Sequence, residues 1–156
     1  MREHHYKATI EWTGNRGEGT ADYRTYSRDH DIFLDGKDVL RGSADPAFRG
    51  DPAGVNPEEM LVAALSACHL LWYLHLCADA GIIVTAYRDE ASGVMSVGGE
   101  AGGRFESVTL HPQVTITDPD RLAEAAGLHE AAHKKCFVAN SVNFPVTVTP
   151  ETVAGD

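Results

Sequence analysis

The chain has 156 residues, enough for one domain with a real core spanning 1–156, and its 43% hydrophobic and 23% charged content is ordinary for a soluble globular protein. A formal net charge of −10 argues against a non-specific nucleic-acid binder, which needs Lys and Arg to neutralise phosphates, and against docking on anionic membranes. The three cysteines have neither C-x-x-C nor zinc-ribbon spacing, and the opening MREHHYKATIEW lacks the apolar stretch of a secretory signal, so reduced thiols in a cytoplasmic protein are expected.

Tyr6 to Trp12 alternates as a strand, and Gly14, Gly17 and Gly19 mark a turn. Thr20 to Leu34 reads as a second strand region ending at the turn Asp35-Gly36, and Val39-Leu40 as a short third strand. The stretch GSADPAFRGDPAGV, Gly42 to Val55, is a long Gly-, Pro- and Asp-rich loop, a kind that is often functional. Asn56 then opens a long helix. It suits the N-cap, Pro57 the first helical position and Glu59 the third, which completes a capping box, while Gly81 suits the residue just past the C-cap.

That helix, NPEEMLVAALSACHLLWYLHLCADAG, would run roughly 36 Å at about 1.5 Å per residue, enough to cross a bilayer. His69, Tyr73, His75 and Asp79 would then lie in or near lipid, and no Lys or Arg cluster flanks either end. A buried central helix is the expectation, and a dimer that packs it between subunits would cover its apolar faces. Beyond it, Ile82 to Arg88 and Gly93 to Val97 read as strands, and Arg104 to Thr117 as one further strand region. A second helix begins near Asp118 with Pro119 at its first position, and Leu122, Ala125, Ala126, His129, Ala132 and Cys136 follow its period. Val142 to Val148 is a short strand in which Pro145 suggests an edge or bulge. The order predicts an α+β fold, helices on a largely antiparallel sheet.

Three constellations carry possible chemistry. Cys77 follows Cys68 by about 900° of helical rotation, so the two cannot pair within one helix. Cys68 and Cys136 can meet only through tertiary packing, and a lone helical cysteine is usually a small buried hydrophobe. His129 to His133, HEAAH, matches H-E-x-x-H, which would put two imidazoles on one face for zinc, Glu130 as general base and Cys136 nearby. The metzincin continuation is absent, and exposed helix histidines are the plainer explanation. The arginines of the glycine-rich loops, Arg16, Arg24, Arg28, Arg41 and Arg49, are a solvated surface unless one lies beside a thiol, whose ionisation it would favour. Glu58 and Glu59 favour the helix N-terminus, and Glu58 lies roughly 15 Å along the helix from Cys68, too far to touch its sulfur directly.

NPEEM, then LSACH, then a second cysteine in HKKCFVANSVNFPVTV before a C-terminal strand, together with the early WTGNRGEGT, resemble the OsmC/Ohr family of osmotically inducible and organic hydroperoxide resistance proteins. The resemblance covers most of the chain. It implies an intertwined α+β homodimer with a long buried central helix, and a peroxidase with Cys68 as peroxidatic and Cys136 as resolving cysteine. It further implies that Glu58 pairs with an arginine beside the reactive thiol. The Ohr branch places that arginine in the first hairpin, here Arg16; the OsmC branch places it in the loop before NPEE, here Arg49, which is favoured. His69 stands where Phe is common. Substrate would be an organic hydroperoxide, with Leu65, Leu71, Trp72 and Phe137 as candidates to receive its tail. The reductant would be a dithiol or lipoylated protein, and no metal, flavin or haem is implied. The alternatives are a zinc-dependent hydrolase at HEAAH and a non-enzymatic redox-sensing or small-ligand-binding protein on the same fold.

Overall fold

Asn56 caps the long helix as its side-chain chemistry predicts. In the computed structural model, which describes residues 1–155, the Glu59 N–H donates to Asn56 Oδ1 at 2.8 Å and the Asn56 N–H donates to Glu59 Oε2 at 3.1 Å. These two bonds satisfy donors that the first helical turn leaves free. Helix α1 runs Pro57–Asp79. Gly81, at φ 69°, ends it in a Schellman motif: its N–H donates to Ala78 O at 3.0 Å and the Ile82 N–H to Cys77 O at 2.8 Å. Asn56→Ala is expected to cost about 1 kcal/mol, read as a lower urea midpoint with an unchanged slope.

The chain divides into two compact units, Met1–Met60 and the part from Leu61 onward. The first holds an antiparallel sheet of β1 (Ala8–Trp12), β2 (His30–Leu34) and β3 (Leu40–Gly42), in that order, with Ile10 opposite Ile32. The second predicted strand is therefore much shorter than Thr20 to Leu34. Side chains upstream of it compete for the backbone: Asn15 Oδ1 accepts from the N–H groups of Gly17 and Gly19 at 2.9 and 3.0 Å, and Asp22 Oδ1 accepts from that of Arg24 at 2.8 Å. The Gly42–Val55 loop is likewise ordered from within. Asp45 Oδ1 caps a single 3-10 turn, Pro46–Phe48, by accepting from the Ala47 N–H at 2.7 Å. The buried Ser43 hydroxyl donates to Asp29 at 3.0 Å and accepts from the Asp51 N–H at 2.9 Å.

The second unit contains β4 (Val84–Asp89), β5 (Ser92–Val97), β6 (Gly103–Leu110), β7 (Pro112–Ile116), α2 (Leu122–Lys135), β8 (Val146–Val148) and β9 (Glu151–Ala154). The Arg104–Thr117 region is two strands, not one. It breaks at His111, whose N–H donates to Asp89 Oδ1 at 2.7 Å, and Pro112 starts the next strand. The halves go to different sheets, ordered β4-β7-β9 and β5-β6-β8. Within each, one pair is antiparallel and one parallel, since β8 runs parallel to β6 and β9 to β7. The fold is α+β, but these sheets are mixed rather than largely antiparallel. Pro145 precedes edge strand β8, where its missing N–H is harmless and its carbonyl accepts from Val108 at 3.1 Å. Asp118 and Pro119 start a 3-10 turn, Pro119–Arg121, that leads into α2.

Helix α1 buries one stripe, Leu65, His69, Tyr73 and Cys77, at every fourth position. The stripe divides between two cores. Leu65 packs with Val108 and Leu110 of β6, while Tyr73 and Cys77 pack with Ile82, Val114, Ile116, Ala125 and Ala132. Arg121 ties the end of α1 to the start of α2, donating to the carbonyls of Ala80 at 2.8 Å and Gly81 at 3.0 Å while pairing with Glu124. By length and composition alone α1 could also cross a membrane. Its remaining faces are less covered than a central buried helix predicts: Leu71 is 67% exposed.

Candidate active site

Cys68 sits midway along α1, and Cys136 is the residue that closes α2. Cys68 lies close enough to Cys136 to perturb its ionisation. The environments differ. Cys68 is half-buried and Cys136 is 1% exposed, with its Sγ accepting from the Ala139 N–H at 3.4 Å. Burial pushes the Cys136 thiol up to about 11, the neighbouring Cys68 adds to the rise, and the Ala139 N–H opposes it. Cys136 is thus held as a protonated thiol near neutral pH. Cys77 lies in the core with Tyr73, and burial pushes its thiol up as well. All three cysteines are free.

The apolar residues named as candidate tail contacts separate. Leu65 is fully buried in a core. Trp72, one helical turn after Cys68, meets Phe137, the residue after Cys136, edge to face with ring centroids 5.3 Å apart, and both Leu71 and Phe137 are exposed. Lys135 Nζ lies 5.5 Å from the Trp72 ring.

HEAAH does not assemble a zinc arrangement. Glu130 is on the exposed face, where Lys134 Nζ donates to its carboxylate at 2.6 Å. His129 turns the other way, into the core, which also corrects the expectation of exposed helix histidines. Among the described residues no three His, Cys, Asp or Glu side chains are grouped to hold a metal ion. His129 Nδ1 is instead 2.9 Å from His69 Nε2, and its ring stacks on Tyr73 at 3.8 Å between centroids. Burial holds both imidazoles down at about 4, assisted at His69 by His133 and at His129 by His69, while Asp89 opposes the effect at His69. Both rings are therefore uncharged near neutral pH. His69 stood out in the sequence only as a departure at one position, and its partner is 60 residues away; no local pattern links them.

The first unit holds Glu58, Arg16 and Arg49. Arg16 and Arg49 line one recess of about 320 Å³, together with Arg24, Arg28, Asp29 and Asp51. The carboxylates there are engaged by Arg41, at 3.1 Å from Asp51 and 3.6 Å from Asp29, and the Asp29 carboxyl is held below its ordinary range chiefly by the Ser27 hydroxyl. Arg28 is held by the carbonyls of Tyr23 and Tyr26, with their rings 4.3 and 4.1 Å from its guanidinium carbon. Among the described residues no carboxylate pairs with Arg16, Arg24 or Arg49. Arg49 is also the one non-glycine residue among them at positive φ, 66°, a strain on the order of 1 kcal/mol. Glu58 lines a second recess of about 440 Å³ whose wall includes Trp12, Tyr26, Arg28, His30 and Phe48.

The OsmC-like protein family model matches residues 50–151. The chain is 33% identical to an OsmC-like protein of unknown function from Vibrio cholerae, whose solved structure superposes with a TM-score of 0.86 over 96% of this chain and 100% of that one. An organic hydroperoxide resistance protein OsmC from Legionella pneumophila, also described as a predicted redox protein, shares the fold at 19% identity, with a TM-score of 0.71 over 97% and 98% of the two chains. The uncharacterized protein YmaD of Bacillus subtilis is 22% identical over 97% of this chain and 95% of its own length. With most of the chain matched by the family model, and a 33% identical OsmC-like relative covering nearly all of it, the chain belongs to the OsmC/Ohr family of OsmC-like proteins.

Proposed function

We propose that the protein is a thiol-dependent peroxidase that reduces organic hydroperoxides to alcohols. The observation that carries this reading is the unequal pair of neighbouring thiols, Cys68 half-buried and Cys136 buried and held protonated. The naming of the Legionella relative for organic hydroperoxide resistance supports the substrate class.

In the proposed cycle the Cys68 thiolate attacks the distal oxygen of the hydroperoxide. The O–O bond breaks, the alkoxide takes a proton and leaves as alcohol, and Cys68 becomes a sulfenic acid. The Cys136 sulfur then attacks the Cys68 sulfur. Its proton joins the departing hydroxide, water is released, and a Cys68–Cys136 disulfide remains. An external dithiol, free or lipoyl-borne, returns both residues to thiols by exchange. Burial suits the resolving role: a neutral Cys136 is inert to peroxide itself and needs only a short approach to its neighbour. Phe137 and Trp72 offer apolar surface for an alkyl tail. The family resemblance assigns the support of the Cys68 thiolate to Glu58 with Arg49 or Arg16. A second copy of the chain covering the exposed face of α1, where Leu71 and Leu74 stand out, would supply the homodimer.

The test is the consumption of cumene hydroperoxide with dithiothreitol as reductant. Catalytic turnover is expected, and it should stop after alkylation of the accessible thiol. A protein that consumes no hydroperoxide, or continues after alkylation of Cys68, does not have this function.

A further inference from the structure

Helices α1 and α2 meet along a short ladder of polar rungs. Tyr73 donates its hydroxyl to Ala125 O at 3.1 Å, and one turn back along α1 and one turn on along α2, His69 Nε2 meets His129 Nδ1 at 2.9 Å. Cys68 directly precedes His69 on α1, and its thiol lies near enough to Cys136 to perturb that thiol's ionisation. Cys136 lies about two helical turns beyond His129, on the same stripe of α2. The two imidazoles are nearly parallel, 7° apart, and His129 is stacked on Tyr73 at 11°.

This rung is a poor way to stabilise a core. Two neutral imidazoles have one N–H each, and one of these fills the shared bond. The outer nitrogens, Nδ1 of His69 and Nε2 of His129, are buried with no hydrogen-bond partner among the described residues, as is Nδ1 of His133. Buried polar atoms left unpaired are costly, and an aliphatic pair of similar volume would avoid that cost. What the imidazole pair has and an aliphatic pair lacks is a fixed length and direction between two helices.

We propose that the His69–His129 hydrogen bond is a positioning strut that sets the separation of the Cys68 and Cys136 thiols, and with it the ease of their disulfide. The inference rests on the reading of these cysteines as a redox pair. His69 and His129 are positioning residues in it.

The experiment equilibrates the full-length protein in glutathione redox buffers at pH 7 and measures the Cys68–Cys136 disulfide by mass spectrometry, with no hydroperoxide present. The dithiol–disulfide ratio gives the effective molarity of one thiol for the other. His69→Leu and His129→Leu remove the strut and are expected to lower it on the order of ten-fold. His69→Gln and His129→Asn, which return a polar atom near Nε2 and Nδ1 respectively, are expected to restore most of it. Leucine variants that fold with wild-type effective molarity overturn the strut, as does an equal loss in the amide variants.

A second measurement needs no substitution. In the wild-type protein the shared imidazole proton, protected from exchange by burial, is expected to change its NMR shift between dithiol and disulfide forms. An unchanged resonance overturns the proposal even if the leucine variants do not fold. Wild-type protein that forms the disulfide in glutathione but ignores hydroperoxides refutes the peroxidase and leaves the strut standing. Wild-type protein that forms no such disulfide at any ratio overturns both the redox pair and the strut.

Discussion

Cys68→Ser is expected to abolish hydroperoxide reduction, with a loss on the order of a thousand-fold or more, the scale that follows removal of a covalent nucleophile. A serine hydroxyl at this position has neither the acidity nor the polarisable sulfur that the reaction uses. Cys136→Ser is expected to behave differently. Cys68 keeps its half-exposed position and still reacts once, so one equivalent of alcohol should form. The sulfenic acid then has no neighbour to condense with. It should be trapped by a 1,3-dicarbonyl reagent or, with excess peroxide, oxidised further to sulfinic acid, which thiols do not reverse. Mass spectrometry of Cys68 after one and ten equivalents of cumene hydroperoxide separates these outcomes. A Cys136→Ser protein that cycles normally with a monothiol and accumulates no higher oxide would show that Cys136 resolves nothing. Cys77→Ser, in the core and away from the pair, is expected to leave the first equivalent of alcohol unaffected.

Acid is expected to destabilise the protein before its carboxylates titrate. His69 and His129 are held at about 4 by burial, below the ordinary 6.5. The unfolded chain takes up protons on these residues as pH falls through 6.5, and the folded chain does so only near 4. Between those values the unfolded state binds more protons, so stability falls with pH. The histidine contribution is complete above about 6.5 and is lost on passing down to about 4. Thermal melts should therefore be flat from pH 8 to 7, then drop on the order of 10 °C by pH 4.5, since each of the two histidines loses about 2 kcal/mol over that range and each kcal/mol moves Tm by roughly 2–4 °C at this chain length. Glu124, held low by Arg121, and Asp29, held low by Ser27, add losses only below their ordinary values of 4.5 and 3.8. The double variant His69→Gln, His129→Asn removes the histidine titration and should flatten the curve over the upper part of this range. An equally steep fall in the double variant would locate the acid sensitivity elsewhere.

The ends of α1 were legible in the sequence because capping is local chemistry. Asn56, Pro57, Glu59 and Gly81 act within a few residues of themselves, and each does in the structure what its type predicts. The second helix and the split of Cys68 from Cys77 follow from helical period alone. Strands were less legible where side chains and backbone compete: Asp22 converts the start of the predicted Thr20–Leu34 strand into a turn. They were also less legible where pairing is remote. Nothing within Arg104–Thr117 states that its two halves join different sheets, or that β8 and β9 return to pair in parallel.

The sequence by itself determined the family, and the length and caps of α1, through motifs whose spacing is a property of the chain. Tertiary structure alone decided that Cys68 and Cys136 are neighbours with unequal burial. It also decided that Leu65 is core, and that the histidine of HEAAH turns inward to His69 instead of outward to a metal. The physical reason is that helical period fixes which residues share a face, whereas what lies opposite that face depends on the packing of a helix brought back by the intervening strands.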